Sequence, residues 1–531
     1  MCVTELLSTD PSRLGIRFPA GSVGRSASFL LGAVLFGATA LAWGSDLGFK
    51  GGVQEVYGTK YAPANLPRTA PESLTRRPGA DAIKRLFYWN EVATNSQKLD
   101  HTPVGPHEVR VFGEQFGPAR ASRAMAIAQI AVFDAVNAIE GGYRSYTEIR
   151  RVHTPASVDA AMARAAHDTL VALYPSQKAR LDALLNEDLA VLPESAAKAK
   201  GVTVGQEAAE AILAMRTGDG SDRAEPRIGV GYIPSDQPGK WRPDPVSQKP
   251  VALGAYWGSV KPFVLRSSAQ FRLPPPPPLT SAAYTKDYEQ VKQLGGTEAG
   301  TRRTGEQTII GNFWAYDGVP NLGAPPRLFN QLTALLMQQN RTGTLIEDAR
   351  LLALTNTAMA DAGIAAWESK YYYSTWRPVT GIRESDAGTG PSGLGDGNAA
   401  TLGDSGFVPL GAPADNLIGP NFTPPFPAYP SGHATFGGAL FEVLRRFWRT
   451  DNIAFTMVSD EYNGITQDNQ GVTRPLIPRS FANLTEAETE CGLSRVYLGV
   501  HWMFDTTQGA TLGHNVAEYV FKNAFQPKDH E

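Results

Sequence analysis

The chain of 531 residues is 42% hydrophobic and 19% charged, which excludes a disordered polymer and supplies apolar material for one large or two ordinary domains. A formal net charge of -3 offers no basic excess to neutralise a phosphate backbone or an anionic bilayer, so no nucleic-acid partner is expected. The two cysteines, Cys2 and Cys491, cannot form a zinc cluster, and loss of an amino-terminal leader would leave a single thiol and a fold resting on its core.

In chain order, the first feature is the apolar run Phe29 to Trp43, preceded by Arg13, Arg17 and Arg25. It is short of the roughly 20 helical residues that span a bilayer, and Ala40-Leu41-Ala42 suits a processing site. Residues 1–42 therefore read as an export signal, with an uncleaved amino-terminal anchor as the alternative. Export to the periplasm or outside the cell follows, with no stable membrane span after processing.

Residues 43–110 are rich in Gly, Pro and Asn and read as an irregular arm. A first helical bundle is expected over 111–340. Its opening helix, Ser122 to Ile139, is apolar nearly all round, as in a buried helix, with Asp134 its polar oddity. Ser157 caps a helix running to Leu173, the Tyr174-Pro175-Ser176 step breaks it, and helices follow over Gln177–Leu189 and Gly205–Arg216. A loop from Thr217 to Leu279 ends in the stiff run Pro274–Pro278. Further helices are expected over Tyr288–Gln293, Glu306–Tyr316 and Arg327–Gln339.

A second bundle is expected over 341–525, with helices at Leu345–Trp376, Ala434–Trp448 and Thr506–Ala524 and a Gly/Pro/Asp-rich loop over Ser385–Pro425. β-branched alternation is scarce and no fixed repeat occurs. The predicted class is all-α with long irregular loops.

Three segments of the second half carry side chains suited to an anion. In Lys370-Tyr-Tyr-Tyr-Ser-Thr-Trp-Arg377-Pro378, seven residues make nearly two helical turns, so Lys370 and Arg377 share one face if the helix persists to Trp376. In Pro430-Ser431-Gly432-His433, a hydroxyl, a flexible N–H and an imidazole meet at a helix amino terminus, where partial positive charge favours an oxyanion. In the stretch Ser494 to Asp505, Arg495 offers a bidentate donor, His501 is the nucleophile or ligand, and Asp505 can fix its tautomer; Ser494 reads as structural. Taken singly, these are a solvated charge pair, a helix cap and a core histidine. Together, in this order, they specify an anion cage.

The pattern K-x6-R-P, P-S-G-H and S-R-x5-H-x3-D resembles the signature shared by the vanadium-dependent haloperoxidases, the type 2 phosphatidic acid phosphatases and the bacterial acid phosphatases, and every fixed position matches. The signature gives the superfamily and not the reaction. Features outside it resemble the chloroperoxidase-type vanadium enzymes and their bacterial homologues: the run Pro424 to Gly438, the segment Phe313 to Gly318 with Pro325-Pro326-Arg327, and Trp367 one turn before Lys370. Where the bromoperoxidase type is expected to carry a second histidine this chain has Phe426. The 60-residue spacer between His433 and Ser494 is long for a simple phosphatase.

The resemblance implies an all-α fold of two packed helical bundles with long irregular loops and a single oxyanion site in the second bundle. It implies vanadate as cofactor, with His501 making its one protein bond and Lys370, Arg377, Ser431, Gly432 and Arg495 holding its oxygens. It implies His433 as general acid/base and Lys370 as the group polarising peroxide. Asp317, Trp367, Pro424, Phe426 and Asp505 would support them, Asp317 as counter-charge to a site arginine or to His433. The implied reactants are hydrogen peroxide, halide and a small organic acceptor. The rivals are a phosphomonoesterase, in which His501 attacks phosphorus and His433 protonates the leaving alcohol, and an exported oxyanion-binding protein, which has no need of His433.

Overall fold

The structure is a computed structural model that describes residues 48–49, 52–64, 79, 81–297, 300–340 and 343–528; the expected export segment lies outside them. The described residues form fourteen α-helices and two small antiparallel sheets. Helix α1 (Val53–Tyr57) and strand β1 (Ala62–Pro63) precede α2 (Ala82–Asp100), α3 (Gly117–Glu140), α4 (Val158–Leu173), α5 (Lys178–Ala190) and α6 (Ala196–Arg216). After a long loop come α7 (Ala282–Leu294), α8 (Gly305–Phe313), α9 (Pro325–Gln339), α10 (Leu345–Tyr373) and α11 (Pro378–Arg383). Strand β2 (Leu417–Ile418), α12 (Gly432–Trp448), β3 (Phe455–Asn463), β4 (Leu476–Phe481), α13 (Leu484–Tyr497) and α14 (Met503–Asn523) complete the chain.

Helices α3, α4 and α6 pack on one another, α10, α12 and α14 form a second group, and α3 lies along α10 to join them. Helix α3 is buried almost throughout its length. Its polar oddity Asp134 accepts the Tyr146 and Thr147 N–H groups, each at 2.8 Å, so its carboxylate fixes the turn that follows the helix. Helices α12 and α14 pack along each other at short range, and glycine makes it possible. A Cβ on Gly513 would lie 2.4 Å from the Thr435 carbonyl oxygen, and one on Gly438 would lie 2.7 Å from that of Ala510. Side chains at either place would push apart the two helices that carry His433 and Asp505.

Several expectations differ from the structure; α7 begins at Ala282 and not Tyr288, α8 ends at Phe313 and not Tyr316, and four further differences are larger. The stretch 43–110 is not wholly irregular, because it contains the 19-residue helix α2. Its buried residues include Asn90, Thr94, Asn95, Ser96 and Gln97 beside Leu86, Trp89 and Val92, and the Asn90 amide is paired with Asn330 (2.7 Å) and Gln129 (2.8 Å). A buried face that mixes polar and apolar residues blurs the apolar periodicity, which is why the pattern hid it. Helix α10 ends at Tyr373, with Ser374 left-handed at φ 53°, and not at Trp376. The third difference is α13 and the hairpin β3–β4, which fill the spacer between His433 and Arg495. Phe455 pairs with Phe481 and Met457 with Arg479 across the hairpin, and its short alternating run was overlooked among helical signals. The fourth is a start: α6 begins at Ala196, capped by Ser195, nine residues before the expected Gly205, and an Ala/Lys/Gly run gives no apolar stripe to announce it.

Candidate functional site

Lys370 and Arg377 do not share a helix face. Lys370 stands in the last turn of α10, and Arg377 is extended at the amino cap of α11; the left-handed Ser374 turns the chain between them. Both are fully buried. Arg377 Nε donates to the Phe426 carbonyl (2.9 Å), and Nη1 donates to the Val500 carbonyl (2.7 Å) and to His501 Nε2 (2.9 Å). Its Nη2 has no partner. Lys370 Nζ donates to the carbonyls of Pro427 (3.0 Å), Ala428 (2.9 Å) and Pro430, so its three N–H donors hold the 427–430 loop. A direct bond to an anion would require giving one of them up.

That loop delivers the amino terminus of α12. Ser431 is the cap, accepting the Ala434 N–H at 3.4 Å, and its own N–H donates to the Asp505 carbonyl (2.9 Å). Gly432 opens the helix with its Cα against Trp367, where a Cβ would stand 3.2 Å from the indole. His433 Nε2 donates to the Ala315 carbonyl at 2.6 Å. A carbonyl only accepts, so this contact puts the proton on Nε2 and leaves Nδ1 as the acceptor.

His501 follows the end of α13. Its Nδ1–H donates to Asp505 Oδ2 (2.8 Å), which also accepts the Trp502 N–H (3.0 Å). The carboxylate thereby fixes the imidazole with Nε2 unprotonated. Arg495, in the last turn of α13, is wholly buried; Nη2 donates to Asp317 Oδ1 at 2.9 Å, while Nε and Nη1 have no partner. Among the described residues no group of three or more His, Cys, Asp or Glu could hold a metal cation. Three orphaned guanidinium nitrogens beside an unprotonated imidazole fit an oxyanion whose charge is met by hydrogen-bond donors.

The electrostatics agree. Burial, then Arg377, Lys370 and Arg495, hold the His501 pKa well below its ordinary value; burial and Arg495 do the same to His433. Burial lowers Arg377 to about 9 and raises Asp505 to about 7. These cations crowd one another without matching counter-charge, and a multiply charged anion is what would relieve them.

A small cavity opens on this cage, lined by the polar residues His433, Arg495, His501 and Asp317 with Gly432 and by the apolar Trp367, Pro424 and Phe426. Lys370, Arg377, Ser431 and Asp505 stand behind that wall. Trp367 and Phe426 have ring centroids 5.0 Å apart, and the Lys370 ammonium lies 5.1 Å from the Phe426 ring. Sequence reasoning missed the outer wall: Val56 of α1, Phe116, Leu253, Phe422 and Lys249. Tyr57 ties α1 down through a 2.6 Å bond to the Gly318 carbonyl, and β1 pairs with β2, so the arm covers the mouth. Lys249, single and in an aperiodic loop, carried no signal.

Residues 350–529 match the family model described as the VCPO second helical-bundle domain. The chain is 29% identical to the vanadium chloroperoxidase of Curvularia inaequalis, over 79% of this chain and 78% of that one. Among solved structures it is similar to a bacterial vanadium-dependent iodoperoxidase (TM-score 0.67, 22% identity, 87% of this chain and 100% of that one). It is also similar to the holo-type bacterial vanadium-dependent chloroperoxidase (TM-score 0.56, 18% identity, 79% and 94%). These two likenesses establish the helical-bundle fold.

Proposed function

We propose that the chain, similar to the vanadium chloroperoxidase of Curvularia inaequalis over 79% of its length, is a vanadate-dependent haloperoxidase, oxidising halide with hydrogen peroxide to hypohalous acid that goes on to small organic acceptors. The observation that carries the reading is the set of unpaired Arg377 and Arg495 donors around His501, whose proton Asp505 holds on Nδ1. His501 Nε2 would take the metal once Arg377 Nη1 turns from it to an oxygen. Arg377, Arg495, Ser431 Oγ and the Gly432 N–H would hold the oxygens, with the α12 amino terminus adding its partial charge. Vanadate bound there supplies Lewis-acid activation of peroxide without redox change at the metal.

His433, anchored through Nε2, has Nδ1 available to take a proton from hydrogen peroxide and return it as general acid/base. Lys370 acts on the reacting oxygen through its field, since its hydrogen bonds hold the loop. Trp367, Pro424 and Phe426 give the apolar wall that keeps water away from it. We also infer that residues 1–42 are an export signal, which amino-terminal sequencing of the mature protein tests.

The deciding experiment assays purified protein with and without orthovanadate, scoring peroxide-dependent bromination against phosphate-ester hydrolysis. The proposal expects bromination that depends on vanadate. Hydrolysis that vanadate inhibits, with a phosphohistidine trapped at His501, would replace it by the phosphomonoesterase.

A further inference from the structure

Lys249 brings an amine into the same cavity that the oxyanion cage does not use; burial holds its pKa well below the ordinary lysine value, and an anion beside it would favour its charged form. It is 5% exposed and reaches the cavity from the loop before Leu253. Its ammonium nitrogen lies 3.2 Å from the centroid of the Phe422 ring and 4.1 Å from that of Tyr57. It makes no hydrogen bond or ion pair with any described residue. The two nearby carboxylates are engaged elsewhere: Asp317 gives Oδ1 to Arg495, and Asp244 accepts the N–H groups of Val246, Ser247 and Thr423. Two aromatic faces stabilise the charge but accept none of its three protons in a directed bond.

We propose that Lys249 forms a monoanion subsite on the outer side of the cavity, and that its ligand is a halide, bromide or iodide in preference to chloride. This rests on the haloperoxidase reading and names the residue that holds the second substrate. A halide is the size of anion that one ammonium can neutralise without further donors. The walls around Lys249, Phe116, Leu253, Phe422 and Pro425, are apolar, so an ion entering them forfeits its water. Ion desolvation costs less as the ion grows, which orders iodide and bromide ahead of chloride. The subsite shares its cavity with Arg495, His433 and His501, so a halide there stands within the chamber onto which the cage opens. Tyr57, from the amino-terminal arm, forms one face of it, which gives residues 52–64 a part in the site.

The test soaks crystals of the full-length protein with sodium bromide and collects data at the bromine absorption edge. The anomalous peak is expected beside Lys249 Nζ in the parent and is expected to vanish in Lys249→Met. No peak beside Nζ in the parent, or the same peak in the variant, overturns the subsite. In solution, Lys249→Met should raise the KM for bromide about tenfold, as befits one charge-assisted contact, and an unchanged KM overturns the role in halide binding. Thermal unfolding checks that the variant folds, and the parent soak stands by itself if it does not. Absence of vanadate-dependent bromination sinks the proposed function instead, while bromide lost from the variant still supports the site.

Discussion

Among the described residues, the arginines buried in the first bundle and those buried in the cage are built on opposite plans. In the first bundle, Arg85 donates from Nε to both oxygens of Asp188 at 3.0 Å, pairs with Asp159, and sends Nη2 to the Gly79 carbonyl. Arg123 and Arg216 share Asp219, each through Nε at 2.8 Å. Charge and hydrogen bonds are closed within the chain. In the cage, Arg377 and Arg495 leave three nitrogens without partners, and Asp317 Oδ1 is the one carboxylate oxygen either of them bonds. A buried donor left unmade costs about 1–3 kcal/mol, so a chain that keeps three together keeps them for something else. Closed networks hold a fold; open ones mark a ligand.

The largest effects should fall on opposite observables. Arg85→Met strands two carboxylates and should lower unfolding free energy by about 3–5 kcal/mol, leaving the oxyanion affinity of the folded fraction unchanged. Arg495→Met should cost less than half as much stability, because burial already raises the Asp317 pKa and the stranded acid can take a proton. It should weaken oxyanion binding by about 30- to 100-fold, the worth of a bidentate charge-assisted contact. Denaturant unfolding and calorimetric titration of both variants check the pair.

A second prediction concerns a closed site of intermediate size. His101 Nδ1 donates to the Gln97 carbonyl (2.9 Å), and Nε2 accepts the Gly117 N–H (3.0 Å) that opens α3. Burial lowers its pKa from 6.5 to about 4. The unfolded chain therefore binds more protons between those two values, so stability is full above pH 6.5 and is lost as pH falls toward 4, by about 3 kcal/mol across the window. His101→Gln should flatten that slope in unfolding curves taken at pH 7 and pH 4.5; an unchanged slope would assign the acid sensitivity elsewhere.

The smallest effect tests the one carboxylate bonded to an arginine of the open site. Asp317→Ala removes the side chain that, among the described residues, orients Arg495, and should weaken oxyanion binding about tenfold with little loss of stability. Parent-like affinity would make Asp317 a bystander.

The helices legible in the sequence were those with apolar stripes or clear caps, such as α3, α4 and α12; α2 was not, because its buried face mixes Asn90, Asn95 and Gln97 with its apolar residues. Within the site, Ser431, Gly432, Arg495, His501 and Asp505 were legible because short spacings along a helix or its cap bring them together. The reason given for Lys370 and Arg377 was mistaken in its geometry: a left-handed residue at Ser374, not a shared helix face, brings them near. Lys249 and Tyr57 were illegible, since each reaches the cavity through loop and arm placements that only the packed structure specifies.

The central claim is that the cage around His501 takes one tetrahedral oxyanion. Titration of the purified protein with orthovanadate, followed by vanadium NMR with phosphate as competitor, tests it most directly. The account predicts one saturable vanadate per chain, displaced by phosphate and lost in His501→Ala. Absence of saturable binding, or binding that survives His501→Ala unchanged, would contradict it.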